Sequence, residues 1–206
     1  MEQEKIAIIQ KVYALYSKYG IKSITMDDIA RELGLSKKTL YQYFTDKNEL
    51  VSAVFEFEHD FRGKCMEEIF VRGMNAIEET LSINRHVAKM LKEYNPTTDY
   101  DLKKYYPEIF EKRRHSIIRN MYERQMANLR KGMEEGLYRN DLVPEYIARL
   151  FILRVVNIHD IPGFDSADYF TPEFFKEIFI YHIRGMASEK GLKVLEKELK
   201  KLDKQE

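Results

Sequence analysis

The segment from Leu33 to Leu50 combines ammonium and hydroxyl side chains at a spacing that suits contact with a polyanion. Leu40 and Phe44 are four residues apart and share one face of a predicted helix, so the polar side chains fall on the other faces. Ammonium groups there can reach guanine O6 and N7 or phosphate oxygens, a threonine methyl can touch a thymine methyl, and hydroxyls can contact phosphates. The side chains that could do so are Lys37, Lys38, Thr39, Tyr41 and Tyr43.

Three short helices are predicted to position these side chains. The first has apolar residues at helical spacing and ends at Gly20, because glycine adopts the left-handed cap without strain. Thr25 is predicted to cap the second helix, with Asp28 at the capping-box position. Gly34 then turns the chain, and Ser36 caps the third helix. Two helices joined by such a turn form a helix-turn-helix, whose second helix enters the major groove of DNA.

Two further side chains stand at predicted helix starts. Asp46 is the predicted cap of a fourth helix, which places Lys47 in its first turn. There the ammonium and the backbone N–H groups could together hold a phosphate, and Thr25 could do the same at the second helix. Periodicity alone leaves a second interpretation open, because any helical hairpin shows this apolar spacing and exposed lysines are usually only solvated.

Composition narrows the class of protein. Lys+Arg and Asp+Glu number 34 each, so a nucleic-acid contact must come from a local patch rather than from net charge. The single cysteine, Cys65, excludes an intramolecular disulfide and disfavours a structural zinc site. No apolar run approaches the roughly 20 residues needed to span a bilayer, and the first residues lack a signal-peptide layout, so we expect a cytoplasmic protein. Only 5 prolines and 9 glycines, without strand alternation, predict an all-α chain.

The segment ITMDDIARELGLSKKTLYQYFTDKNEL closely resembles the signature of the tetracycline-repressor (TetR) family of bacterial transcriptional regulators. The matching residues are Thr25, Ile29, Ala30, Gly34, Leu35, Ser36, Leu40, Tyr41, Tyr43, Phe44 and Lys47, with Leu15, Tyr16 and Gly20 at the end of the first helix. The resemblance covers roughly residues 6–52. Lys11 and Val12 depart from it, since many members have two alanines there.

The resemblance implies an all-α fold of nine or ten helices, with a three-helix DNA-binding head at residues 1–48. A helical ligand-binding and dimerisation body at residues 49–206 would follow it. The head residues assigned to DNA contact are Thr25, Ser36, Lys37, Lys38, Thr39, Tyr41, Tyr43 and Lys47. Among them, Lys37 and Lys38 are predicted to contact bases, and Tyr41 and Lys47 phosphates. The implied partners are a double-stranded DNA operator, a second copy of the chain and an unidentified, largely apolar small molecule, with no cofactor, metal ion or membrane.

The middle of the chain is rich in tyrosine and methionine, which suit an adaptable apolar pocket. The same residue types are ordinary core side chains, so both interpretations stay open. A polar anchor could come from the end of the helix predicted at 144–160, which could equally be solvated. The pocket candidates are Met90, Tyr94, Tyr105, Met121, Tyr122, Met126, Phe151 and His159.

The segment TPEFFKEIFIYHIRGMA carries an apolar stripe broad enough for both its own core and a partner chain. The predicted dimer-interface residues are Phe174, Phe175, Ile178, Phe179, His182, Gly185 and Met186. A leucine stripe in the last segment fits either a dimer contact or a cap on the chain's own bundle.

Three functions are compared on this basis. A ligand-responsive DNA-binding regulator, a repressor acting as a homodimer on a palindromic operator, fits the head and the body. An enzyme on a helical scaffold is disfavoured, because the 5 histidines are scattered and no catalytic triad or carboxylate pair stands out. A protein–protein adaptor, or a regulator without operator binding, is disfavoured by the lysine and tyrosine set. We therefore predict the regulator.

Overall fold

The computed structural model describes residues 2–70, 73–92, 95–156 and 171–202. Over these ranges the regular structure consists of ten helices, which confirms the all-α prediction. They are α1 (Glu2–Tyr19), α2 (Met26–Glu32), α3 (Lys37–Tyr43), α4 (Lys47–Phe70), α5 (Ala76–Lys92), α6 (Pro96–Tyr105), α7 (Pro107–Glu134), α8 (Pro144–Val156), α9 (Pro172–Met186) and α10 (Glu189–Leu202). None of the helices in the described ranges is long and apolar enough to cross a membrane.

The chain divides into two compact units. The head unit comprises Met1–Cys65 and Glu93–Ser116, and the body unit comprises Met66–Lys92 and Ile117–Glu206. Helix α6 therefore belongs to the same unit as the three N-terminal helices. The predicted DNA-binding domain at residues 1–48 lies inside the head unit, and its own boundary stays a prediction.

Local sequence signals determine where the first helices begin and end. The Thr25 hydroxyl accepts the backbone N–H of Asp28, whose carboxylate accepts the backbone N–H of Thr25, so the capping box is confirmed. Ser36 caps α3 through the N–H of Thr39 at 3.0 Å. Gly20 and Gly34 have φ of 79° and 66°, in the left-handed region that favours glycine. The predicted turns are therefore present.

The core of the head unit is built from one face of each helix. Val12 and Tyr16 of α1, Ile29 of α2 and Leu40 of α3 are completely buried, and Phe44 nearly so. Burial of side chains this size stabilises the unit by about 1.5–3 kcal/mol each. The face of α3 that carries Leu40 is therefore fixed inward, which fixes the opposite face outward.

Helix α6 begins directly after an asparagine and a proline. Asn95 caps it by accepting the N–H of Thr97 at 3.0 Å, and Pro96 occupies the first helical position, where a missing N–H costs nothing. The Asn95 amide also donates to the backbone oxygen of Ser17, and the Thr98 hydroxyl donates to that of Tyr16 at 2.7 Å. The start of α6 thus satisfies carbonyl groups at the end of α1.

The body unit has its own core, with a buried polar network at one side. Asn128 of α7 accepts hydrogen bonds from the hydroxyls of Thr80 and Tyr138 and donates to the backbone oxygen of Ala76 and the carboxylate of Glu79. Each of these polar groups is buried with a partner, as interior polar groups must be. The network sets the register of α5 against α7.

Candidate nucleic-acid interface

Helix α3 exposes a short cationic surface on the side opposite its buried apolar face. Lys37, Lys38 and Tyr41 point away from Leu40 and Phe44, and 48% of Tyr41 is exposed. The Lys37 side chain is 64% exposed and pairs with Asp27 of α2. That ion pair joins the two helices of the helix-turn-helix while leaving the remaining donors of the ammonium accessible.

Several of the predicted DNA-contacting hydroxyls have partners within the head. The Thr25 hydroxyl donates to Asp28 at 2.5 Å, and the hydroxyls of Ser36 and Thr39 lie 2.7 Å apart. Both arrangements stabilise helix starts, so these residues hold the ends of α2 and α3 in place. Their oxygens remain exposed or half-exposed and can still accept or donate a further bond.

Tyr43 lies at the edge of the α3 surface. Its hydroxyl donates to the carboxylate of Glu4 on α1 at 2.8 Å. This hydrogen bond raises the pKa of Tyr43 and lowers that of Glu4. Because the Tyr43 proton is already donated, the hydroxyl cannot donate to a phosphate unless Glu4 releases it. The single donor of Tyr43 is thus committed to a carboxylate of another helix.

Lys47 is half-buried rather than free at the start of α4. Its ammonium donates to the backbone oxygen of Ile21 at 2.7 Å. Burial lowers the pKa of Lys47, while the negative charges of Asp101 and Asp28 oppose that shift. Asp46 caps the helix by accepting the N–H of Glu49 at 2.8 Å, as predicted. The positive charge of Lys47 is therefore held beside the turn between α1 and α2.

A lysine and tyrosine surface on α6 was missed by the sequence analysis. Lys22 donates to the Tyr105 hydroxyl at 2.6 Å, and Lys104 donates to the Tyr100 hydroxyl at 2.8 Å. Tyr105 was predicted to line an apolar pocket; it is 37% exposed and belongs to the head unit, apart from the other described candidates. The lysines and tyrosines of α6 are visible in the sequence, but nothing local indicates that they meet Lys22.

The head unit also contains a cavity of about 270 Å³ between α4 and α7. Phe55, His59 and Ser116 line it together with charged residues, and Ser116 hydrogen-bonds the His59 ring at 3.1 Å. Beside it, the buried carboxylate of Glu58 accepts two hydrogen bonds from Arg113. None of the predicted pocket residues lines this cavity.

The remaining pocket candidates lie in the body unit or outside the described residues. Met121 and Phe151 pack in one apolar cluster with Phe175 and Phe179, whereas Met126 and Tyr122 belong to the neighbouring cluster. Met90 is half-buried on α5. Tyr94 and His159 lie outside the residues that the structure describes.

His182 is enclosed by the body unit. Its ring lies 4.7 Å from that of Phe151, and its Nε2 is 2.7 Å from the Gln125 amide. Burial and the charge of Arg154 lower the pKa of His182 to about 4, so the ring is neutral at pH 7 and accepts the amide proton. Phe175, Phe179 and Met186 are also buried.

The predicted dimer stripe is therefore mostly core of its own chain. Phe175, Phe179, His182 and Met186 cannot present a surface to a partner, because at most 5% of each is exposed. Phe174 and Ile178 are half-buried, and Gly185 is exposed with open space where a Cβ would stand. Most of this apolar stripe packs in the core of its own chain, and little of it is left for a partner chain.

The exposed apolar side chains of the body unit lie mainly on α8. Tyr146, Leu150 and Leu153 follow the i, i+4, i+7 spacing of one helix face and are 50–64% exposed, and Val143 precedes them. Tyr181 of α9 is 70% exposed, with the guanidinium of Arg154 5.3 Å above its ring. We call this apolar surface the α8–α9 surface; it consists of Val143, Tyr146, Leu150, Leu153 and Tyr181.

Comparison with known proteins finds a family match in the N-terminal part of the chain. Residues 8–54 match the family described as bacterial regulatory proteins, tetR family. The HTH-type transcriptional regulator YvaF of Bacillus subtilis (strain 168) is 25% identical over 165 residues, which are 80% of this chain and 85% of that protein. An HTH-type transcriptional regulator of Staphylococcus aureus (strain USA300) is 27% identical over 93 residues, 45% of this chain and 46% of that protein.

Solved structures share the fold over most of the chain. A transcriptional regulator from Cytophaga hutchinsonii superposes with a TM-score of 0.74 at 19% identity, over 88% of this chain and 97% of that one. A TetR transcription regulator from Haloarcula marismortui gives 0.73 at 16% identity, over 91% and 100%. At these identities the likeness concerns the fold alone.

Proposed function

Because the chain belongs to the TetR family of transcriptional regulators and carries a DNA-binding helix-turn-helix, we propose that it is a cytoplasmic repressor. In this proposal it binds a palindromic operator as a homodimer, and a small molecule releases it. The observation that carries the proposal is the α3 surface. Leu40 and Phe44 fix one side of the helix in the core, so Lys37, Lys38 and Tyr41 are presented together on the other.

Each side chain has a proposed role on the DNA. Lys37 and Lys38 stand in the first turn of α3, the part of a recognition helix that meets base edges. Tyr41 and Lys47 contact phosphates and fix the register. Thr25, Ser36 and Thr39 lie at the starts of α2 and α3, where N–H groups favour an anion. Tyr43 contributes only if Glu4 releases its hydroxyl.

The test is binding to the DNA that flanks the gene, measured by fluorescence anisotropy between 50 and 200 mM salt. Lys37→Ala plus Tyr41→Phe should weaken binding roughly 100-fold, since it removes one base contact and one phosphate contact. Lys197→Ala, an exposed lysine of α10, is the control and should change nothing. Unchanged affinity of the double variant would show that α3 is not the contacting helix, and absence of salt-dependent binding would favour a protein–protein adaptor.

The homodimer is proposed to form through the α8–α9 surface. A two-fold operator requires two heads that meet half-sites about 34–36 Å apart, so two copies must associate. An exposed apolar patch of this kind marks an association site. Gly185, near Tyr181 on α9, would let a partner helix approach closely. Of the other predicted interface residues, the half-buried Phe174 and Ile178 of α9 could also be reached by a partner.

The effector is proposed to bind the apolar cluster of the body unit that contains Phe151 and Met121. Ile83 and Val87 of α5 pack against this cluster, and Asn84 lies between them in the same helix. The buried Asn84 amide donates to no partner among the described residues. Such a group costs free energy until an acceptor reaches it. An apolar molecule with a carbonyl or ether oxygen would supply one.

The effector proposal is tested by reciprocity. A molecule that releases the DNA must bind the DNA-free protein more tightly than the complex, by the same factor. Asn84→Leu should weaken binding of an oxygen-bearing effector about tenfold while leaving operator affinity in its absence unchanged. If the same effector concentration releases the DNA equally well from Asn84→Leu and from wild type, the oxygen of the effector is bound by another group.

A further inference from the structure

A second cationic surface lies on the head unit, outside the helix-turn-helix. It consists of Lys22, from the turn between α1 and α2, and of Lys104, Tyr100 and Tyr105 of α6, and is called the α6 surface here. All four side chains are exposed, with Tyr100 at 57% and Tyr105 at 37%. The four residues are brought together because α6 packs at the end of α1.

The two ammonium groups are held by neutral aromatic side chains. Lys22 lies 4.5 Å from the centre of the Tyr105 ring, and Lys104 lies 5.5 Å from the same ring and 5.1 Å from that of Tyr100. Each also donates a hydrogen bond to a tyrosine hydroxyl. Among the described residues, neither has an ion pair with a carboxylate. Two positive charges are therefore fixed in place without being neutralised.

The tyrosine hydroxyls add donors to the surface. Each accepts a hydrogen bond from a lysine and so keeps its own proton available for another acceptor. The hydrogen bond from Lys22, together with the charges of Lys104 and Lys22, holds the pKa of Tyr105 below its ordinary value. The two ammonium groups and the free hydroxyl donors suit an anion with several oxygens, such as a phosphodiester.

The α6 surface is continuous with a proposed phosphate contact. Lys47 donates to the backbone oxygen of Ile21, and the next residue in the chain is Lys22, whose ammonium reaches Tyr105. The buried carboxylate of Asp101 accepts the backbone N–H groups of both Ile21 and Lys22, which fixes this turn against α6. Lys47 and Lys22 thus lie at the same turn, and Lys22 shares the Tyr105 ring with Lys104.

We propose that the α6 surface is an accessory DNA-backbone site, which contacts phosphates flanking the base pairs that α3 contacts. This proposal rests on the proposed function, because Lys47 and α3 must first place the head on DNA. Two ammonium and two hydroxyl donors without a groove-entering helix can bind the sugar–phosphate backbone but cannot distinguish bases. The surface therefore adds affinity and salt dependence to every sequence equally.

The test uses a non-cognate 40-base-pair duplex, so that no operator need be known. Lys22→Gln plus Lys104→Gln removes both charges while keeping long polar side chains. The slope of log K against log salt should fall by about 2 for each bound protomer, since each lost phosphate contact contributes about 0.9. Affinity for this duplex at 100 mM salt should fall roughly 10- to 100-fold.

Two further variants separate charge from structure and hydroxyls from ammonium groups. Lys193→Gln plus Lys197→Gln on α10 makes the same change in net charge and should leave the slope unchanged. Tyr100→Phe plus Tyr105→Phe keeps both charges and should lower affinity severalfold with little change in slope. Thermal unfolding of each variant is measured alongside, and an unchanged midpoint assigns the loss to the contact.

Each result has a definite consequence. If wild type binds the duplex and Lys22→Gln plus Lys104→Gln keeps the full slope, the accessory site is wrong while the proposed function stands. If that variant keeps the slope but loses binding to a polyglutamate peptide, the surface serves an acidic protein partner instead. If wild type binds neither this duplex nor the DNA that flanks the gene, both proposals fail together.

Discussion

The carboxylate of Asp101 on α6 accepts the backbone N–H of Ile21, 80 residues earlier in the chain, at 2.9 Å. The same oxygen accepts the N–H of Lys22 at 2.7 Å, and Asp101 is only 5% exposed. A single buried charge thus satisfies two donors in the turn that leads from α1 to the helix-turn-helix. A charged acceptor makes stronger hydrogen bonds than a neutral one. These two hydrogen bonds therefore hold the turn firmly against α6.

Removing this carboxylate should destabilise the head unit. Asp101→Ala leaves two buried N–H groups without an acceptor, so we expect the free energy of unfolding to fall by about 2–4 kcal/mol. Urea denaturation measures it, and hydrogen exchange should quicken first at Ile21 and Lys22. Glu108→Ala, an exposed carboxylate of α7, is the control. A loss below about 0.5 kcal/mol would show that water replaces the carboxylate without cost.

Gly132 of α7 is required by a close approach rather than by its backbone conformation. A Cβ there would lie 2.0 Å from a ring carbon of Tyr138, whose ring is buried and whose hydroxyl donates to Asn128 at 3.0 Å. Gly132→Ala should therefore destabilise the chain by about 2–3 kcal/mol, although alanine favours helices. Gly63→Ala in α4, where a Cβ meets open space, should stabilise by about 0.5–1 kcal/mol. Thermal unfolding measures the change in midpoint for each variant. A shift in the same direction for both variants would contradict the argument from the contact with Tyr138.

The buried histidine makes stability depend on pH. In the unfolded chain His182 takes up a proton near its ordinary pKa of 6.5, whereas in the folded chain it does so only near 4. Protons therefore favour the unfolded state as the pH falls through this window. Between pH 7 and pH 5 the contribution should amount to about 2 kcal/mol, present above pH 6.5 and lost toward pH 4.

Carboxylates also make stability depend on pH. Comparing histidine variants with wild type isolates the contribution of His182. His182→Gln should lose less stability than wild type when urea unfolding at pH 7 is compared with pH 5, since glutamine does not titrate. His115→Gln replaces an exposed histidine and should retain the wild-type dependence. The same loss in both variants would mean that His182 is protonated in the folded chain at pH 5.

The α8–α9 surface predicts the oligomeric state. Leu150→Glu places a charge at the middle of the exposed apolar stripe and should convert a dimer to a species near the 24.6 kDa mass of one chain. Leu192→Glu on α10, also an exposed leucine, should leave the dimer intact. Sedimentation velocity at micromolar concentration distinguishes these masses. A wild-type monomer, or a dimer that survives Leu150→Glu, would place the association elsewhere or exclude it.

The site residues of the head could be predicted because their signals are local. Thr25, Ser36 and Asp46 accept N–H groups within three residues, and Gly20 and Gly34 adopt conformations that other residues avoid. The DNA-contacting roles themselves remain proposals. The partners of Lys37 and Tyr43 could not be predicted, since Asp27 and Glu4 lie on other helices.

The sequence by itself determined the helices of this protein, the turns of its helix-turn-helix and the inward face of α3, because caps, glycine and apolar spacing act over a few residues. Only the tertiary structure decided which helix met each apolar face. It buried Phe179 and His182 in their own unit, left Leu150 and Leu153 exposed, and joined α6 to the end of α1. Apolar spacing specifies that a face is buried but not against what, since the hydrophobic effect has no direction.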